Sequence, residues 1–182
     1  ILYLPVGYIP LDTQRKSGFL FPTFGWSAVE GFLYQQEYFW AINRWSDATI
    51  NTRRVVGGWQ NSLDYRYIAS NKERGNIKGN IFVDNVTNET LWNVSMTHAQ
   101  ELPNDVQFSG VLDLESQNSL NQIVNNNTQR RTRRNTDSYA TINKIWDNSS
   151  LDILTRYRKS TDNIQDDTFG ELPKITYKVQ QT

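Results

Sequence analysis

The sequence predicts an all-β chain, an antiparallel up-and-down meander of about ten strands. Three observations lead there. Apolar and polar residues alternate with period two along most of the chain, and helical periodicity is nearly absent. Most of the segments between these runs are short and built from Asn, Asp, Gly and Pro, the residues that accept turn dihedrals. The composition is polar, with a mean hydropathy of -0.64, yet 13% of residues are aromatic. An ordinary soluble core leans more on Leu, Val and Ile.

The strands can be justified in order. Residues 17–26 carry Phe19, Phe21, Phe24 and Trp26, with Pro22 in the middle. Proline cannot donate to a ladder and is tolerated only at sheet edges or bulges. In 32–43, Phe32, Tyr34, Tyr38, Trp40 and Ile42 share one face and oppose Gln35, Glu37 and Asn43. Residues 46–54 form a weaker strand. In 61–69, Leu63, Tyr65, Tyr67 and Ala69 oppose Ser62, Asp64 and Arg66. In 75–85, Ile77, Gly79, Ile81 and Val83 oppose Lys78, Asn80 and Asp84. Residues 90–98 place Trp92, Val94 and Met96 on one side, and 106–114 do the same with Val106, Phe108, Gly110, Leu112 and Leu114. Residues 139–148, 150–158 and 174–180 complete the series.

Connectors at 29–31, 43–47, 85–89, 101–105 and 147–150 are turn-like, whereas 116–138 is long, Asn-rich and basic, and 159–173 is a second polar connector. Tight turns mixed with long loops are the pattern of outer-membrane barrels. One face of the strands is aromatic and aliphatic, and the other carries Asn, Asp, Lys, Arg and Gln. A soluble sandwich can present its polar face to water, and a membrane barrel can present its apolar face to lipid and its polar face to a wet lumen. Strands of about ten residues match a tilted bilayer crossing, and Trp and Tyr suit membrane interfaces, so the barrel is favoured. The sandwich, as a glycan-binding module working through its aromatics, is kept as the alternative.

Lys+Arg and Asp+Glu number 19 each, so net charge gives no pull towards nucleic acid or anionic lipid. There is no Cys, which excludes a disulfide framework or a Cys-based metal site within this stretch. His98, the single histidine, makes neither a metal site nor a triad by itself and reads as a wall residue near a turn. Asp166, Asp167 and Glu171 read as solvated charges in a connector. Arg130, Arg131, Arg133 and Arg134 form a basic cluster without interleaved aromatics, mainly a solvated loop and otherwise a candidate contact for an anionic group or a partner. N-x-S/T matches at Asn85, Asn88, Asn93, Asn126 and Asn148 follow from an Asn-rich composition. No phosphate-binding loop, nucleophile elbow or zinc-protease motif is present, no catalytic residue, metal or cofactor is expected, and an enzyme reading has little support.

The segment "LYLPVGYIPLDTQRKSGFLFPTFGWS", Leu2 to Ser27, closely resembles a hallmark of the lipopolysaccharide-assembly outer-membrane protein LptD family, with Pro5, Pro10, Arg15, Ser17, Gly18, Phe19, Leu20 and Pro22 all matching. The segments at 37–53, 63–68, 135–157 and 171–181 also resemble family strands, so the likeness covers nearly the whole chain. The first segment is the most specific. The resemblance implies that residues 1–11 end a periplasmic domain or its linker, and that 12–182 form the N-terminal strands of a very large transmembrane barrel.

The resemblance further implies a role in placing lipopolysaccharide in the outer leaflet of a Gram-negative outer membrane. The first strand, Ser17, Gly18, Phe19, Leu20, Phe21 and Pro22, would form one side of a lateral gate. Glu37, Tyr38 and Trp40 would lie in the second strand, and Pro5, Pro10, Arg15 and Lys16 in the junction. Implied partners are lipopolysaccharide, an LptE-like lipoprotein plug, periplasmic lipopolysaccharide-bridge proteins acting through an N-terminal domain, and outer-membrane lipid, with no nucleic acid. One departure stands out. Many members carry a second proline in strand two, in "LPYYW", where this sequence has Glu37 in "QQEYFW". The first and last residues fall within apolar, strand-like runs, so the chain is expected to be a piece of a longer protein. A porin or autotransporter fragment would share the alternation but not "RKSGFLFP".

Overall fold

A computed structural model describes residues 15–28, 31–85, 87–116, 135–160 and 168–180. The described residues form eleven strands: β1 (Gly18–Phe19), β2 (Thr23–Ser27), β3 (Gly31–Trp40), β4 (Ser46–Val55), β5 (Gly58–Ser70), β6 (Glu73–Asp84), β7 (Thr90–Leu102), β8 (Val106–Glu115), β9 (Asn135–Trp146), β10 (Ser149–Ser160) and β11 (Thr168–Val179). All belong to one antiparallel sheet in sequential order, with β1 and β2 both paired to β3. A sandwich needs a second sheet stacked about 10 Å away. Every described strand lies in the same sheet, so the sandwich alternative is set aside.

The register converts the sequence alternation into two faces. Tyr38, Ile50, Leu63, Gly79, Val94 and Leu114 stand in one row across β3–β8. On the reverse, Thr49, Asp64, Lys78, Ser95 and Asp113 stand side by side across β4–β8. A second row on the same face, nearer the short turns, runs Phe108, Ile142, Ile153 and Ile175 across β8–β11. Because side chains alternate strictly with the pleat, a slip of one residue would exchange the faces.

Among the described residues, neither face is covered by a second layer. Ala48, Phe82 and Leu91 are the buried apolar residues among those described. The chain exposes 13845 Å², against about 9,000 Å² for a compact monomer of this mass. The small core that exists lies on the polar side, where Phe82 and Leu91 pack with Val55 beneath the β4–β5 turn. Gly58 permits this close approach, since a Cβ there would run into the Val83 carbonyl oxygen and the Phe82 ring.

The strands alternate in direction, so the connectors fall on two rims. One rim carries the turn 56–57 and the strand ends Asp84, Glu115 and Ser160, and the opposite rim holds 41–45, 71–72, 103–105 and 147–148. The strands that precede both long sequence connectors, β8 and β10, therefore end at the first rim. At the short-turn rim, Lys72 Nζ lies 2.5 Å from Glu101 Oε1, and this bond raises the pKa of the ammonium above its ordinary value.

All ten expected strands are present, with three corrections of extent. The run 17–26 is divided into β1 and β2. Residues 135–138 of the 116–138 connector are the start of β9, where Thr136 and Ser138 are buried polar residues. Residues 168–173 of the second connector belong to β11, with Glu171 opposite Arg156 rather than in a loop. Pro173 falls inside this strand. It lies where the register shifts, with Thr155 facing both Leu172 and Pro173, and such a bulge lets a strand keep a proline.

Two outcomes follow. The isolated 182-residue chain should require detergent or lipid to stay folded, and a monomeric, folded chain without either, seen by size exclusion and circular dichroism, would contradict the membrane reading. Phe82→Ala should destabilise the sheet by about 3 kcal/mol, measured by denaturant unfolding in detergent.

Candidate functional site

The interrupted first strand is the most irregular part of the described sheet. Gly18 pairs with Phe39 and Phe19 with Tyr38, after which pairing resumes at Thr23 with Gln35. Leu20, Phe21 and Pro22 thus face only two residues, Gln36 and Glu37. This is a β-bulge, one residue longer on the edge side. The Leu20 N–H still donates to the Glu37 carbonyl at 2.9 Å. Pro22 has no N–H to offer, so the ladder breaks there. Among the described residues, β1 and β2 pair with no strand but β3.

The bulge also sets orientation. Phe19 stands beside Tyr38, and beyond the bulge Phe24 stands beside Tyr34 and Trp26 beside Phe32. An uninterrupted strand would send odd and even positions to opposite faces. The extra residue restores phase and puts Phe19, Phe24 and Trp26 on the same apolar side. Their rings make the expected contacts there: Phe19 meets Tyr38 edge-on at 5.0 Å, and Phe24 lies 5.5 Å from Tyr34. Phe21, inside the bulge, is 91% exposed. Of the six expected first-strand residues, Gly18 and Phe19 lie in β1, Ser17 precedes it, and Leu20, Phe21 and Pro22 form the bulge.

In β3, Tyr38 and Trp40 face the apolar side, and Glu37 faces the polar side opposite Asn51. The Gln35 amide donates to Glu37 Oε1 at 2.7 Å. The Gln36 amide donates to the carbonyls of Leu20 and Glu37, at 2.8 and 2.9 Å. Sequence reasoning passed over Gln36. A polar residue at an apolar position of β3 was the available signal.

The junction is held to the sheet just before β1. The Ala41 N–H donates to Ser17 Oγ at 2.9 Å. Arg15 pairs with Asp47 and lies over the Phe39 ring, 5.8 Å from its centre. Asp47 also binds Arg66, with Oδ1 2.7 Å from Nη2 and 2.8 Å from Nε. The Asp47 side chain is 8% exposed, so two guanidinium groups flank a nearly buried carboxylate and supply it with charge-assisted partners. These contacts place the start of the sheet at the short-turn rim. Lys16 is exposed. Pro5, Pro10, Arg130, Arg131, Arg133, Arg134, Asp166 and Asp167 lie outside the described residues.

Aromatic side chains gather towards both rims of the apolar face. Phe24, Trp26, Phe32, Tyr34, Trp59, Trp92 and Tyr157 lie towards the long-connector rim, and Phe19, Tyr38, Trp40, Tyr65, Tyr67, Phe108, Trp146 and Tyr177 towards the other. Between them stand Leu63, Gly79, Val94, Met96, Leu112 and Ala140. Two aromatic girdles around an apolar band are the mark of an outer-membrane barrel wall. His98 is a wall residue, as expected: it lies within β7 among the aromatics nearer the short-turn rim. Its Nδ1 lies 2.5 Å from the Tyr67 hydroxyl, which reaches it over Gly75, the residue between them in the register. A Cβ on Gly75 would collide with the Tyr67 ring.

A family model described as LptD protein matches residues 1–182. The chain belongs to the LptD family. The LPS-assembly protein LptD of Pseudoalteromonas atlantica is 28% identical over 96% of this chain and 23% of its own length. That of Cupriavidus pinatubonensis is 31% identical over 70% of this chain and 16% of its own. That of Actinobacillus pleuropneumoniae reaches 41% over 37% of this chain and 9% of its own. The chain therefore spans less than a quarter of the length of these relatives. LptD membership sets aside the generic porin or autotransporter reading and agrees with an all-β barrel segment.

Asp47→Asn should loosen the junction by about 1.5–3 kcal/mol, the range for hydrogen bonds to charged groups. Limited proteolysis of the detergent-solubilised protein should then cut faster on the N-terminal side of Ser17.

Proposed function

We propose that residues 12–182 are the N-terminal strands of the barrel, and residues 1–11 the end of a periplasmic domain or its linker, in a protein that assembles lipopolysaccharide into the outer leaflet of a Gram-negative outer membrane. The observation that carries the reading is the Pro22 bulge in an edge strand of an LptD-family sheet. It acts as a transport and assembly wall rather than as an enzyme.

The physical case rests on the amphipathic cargo. Acyl chains cross a wet lumen only at high cost, and sugars cross lipid only at high cost. A seam that parts sideways lets acyl chains slide into the bilayer while the sugar stays in the lumen. A closed barrel normally abolishes edges, so a seam that opens needs a weakened strand. The bulge at Leu20–Pro22 supplies one, on the strand that begins the sheet. Glu37 retains the N–H that a second proline would delete, so here Pro22 acts with less help.

Orientation follows from the rims. The short-turn rim, where the junction is pinned by Asp47, faces the periplasm and any bridge proteins that deliver lipopolysaccharide. The long-connector rim faces outward, and Arg130, Arg131, Arg133 and Arg134, outside the described residues, are a candidate contact for an anionic group. The polar face, with Asp64, Lys78, Asn80 and Asn93, lines the lumen and meets an LptE-like lipoprotein plug.

Pro22→Ala in the full-length protein should strengthen the seam and slow export. Surface lipopolysaccharide should fall and sensitivity to large apolar antibiotics should rise. Wild-type values for both would refute the gate role of Pro22.

A further inference from the structure

Gln36 breaks the pattern of its own strand. Its column on the apolar face of β3 is otherwise aromatic, running Phe32, Tyr34, Tyr38 and Trp40. The Gln36 amide turns to the bulge and donates to two carbonyls, one on each side of the seam: Leu20 at 2.8 Å and Glu37 at 2.9 Å. The Glu37 carbonyl also receives the Leu20 N–H at 2.9 Å, so three groups converge where Pro22 interrupts the ladder. On an apolar face no water replaces a lost partner. A single side chain thus spans the gap that the proline leaves.

We propose that Gln36 is a latch, a positioning residue that holds the bulged first strand on β3 and sets how readily that strand separates. It acts through the backbone and touches no cargo. The polar character of its row is local. Gln36 stands beside Thr52 and Thr52 beside Asn61, with the Thr52 hydroxyl 2.8 Å from Asn61 Oδ1, and the row then turns apolar at Ile81 and Trp92. The latch rests on the reading of the first strand as one side of the gate, but its structural claim, made at the junction of that strand with β3, is measurable separately.

The test is hydrogen exchange on the full-length protein in lipid nanodiscs, comparing wild type with Gln36→Met, which keeps the length and removes the donor. Amides of Leu20–Phe24 should exchange about three- to tenfold faster, the factor for losing one ordinary hydrogen bond, while β6–β8 stay unchanged. Unchanged exchange at Leu20–Phe24 overturns the latch. If Gln36→Met loosens the whole sheet, Pro22→Ala/Gln36→Met decides. Restoring an N–H at position 22 should return Leu20–Phe24 to within about twofold of wild type, and failure to do so overturns the latch. Faster local exchange with unchanged surface lipopolysaccharide upholds the latch and overturns the gate reading instead.

Discussion

Backbone hydrogen bonding is the constraint on which the rest of this structure depends. A chain that crosses a bilayer must satisfy each N–H and C=O within itself, because hydrocarbon offers no partner. The antiparallel ladder does so, and its demands then reach into every other feature. It fixes the period-two alternation that separates an apolar face from one carrying Asp64, Lys78 and Asn80. It favours tight turns between neighbours, which appear along one rim at 71–72 and 147–148. It also makes any missing donor conspicuous.

The first strand and β11 each carry a proline within a bulge. Pro173 is accommodated opposite Thr155, and Pro22 opposite Gln36 and Glu37. In both cases the extra residue absorbs the missing N–H. At Pro22 the bulge has a second effect, because it rephases the strand and keeps Phe19 and Trp26 on one face. The same local defect thereby weakens the ladder and preserves the amphipathic surface. The side chain of Gln36 restores part of the lost bonding, so the edge is weakened without being left unsatisfied.

Most of the strand order was legible from residue pattern. Alternation in 61–69 and 75–85 identified which side chains share a face, and the register agrees residue by residue through Leu63 with Gly79 and Tyr65 with Ile77. The edges were less legible. Thr136 and Ser138 look like loop residues in sequence, yet they lie in β9 because their hydroxyls find backbone partners on neighbouring strands; the Asp113 N–H donates to Ser138 Oγ, and Thr136 Oγ1 donates to the Lys159 carbonyl. His98 looked solitary because its partner, Tyr67, is 31 residues away along the chain.

The sequence by itself determined the all-β class, the two-faced strands and the membership of the first segment in a known pattern, since period, turn chemistry and motif are local properties. Only the tertiary structure decided the bulge at Leu20–Pro22, the Asp47 pairing of Arg15 with Arg66, and the reach of Gln36 across the seam. Each of these depends on register between strands, and register is a relation between residues distant in sequence. A proline in an apolar strand says that a ladder bond is missing. Which neighbour faces the gap, and which side chain closes it, is settled only when the strands are set side by side.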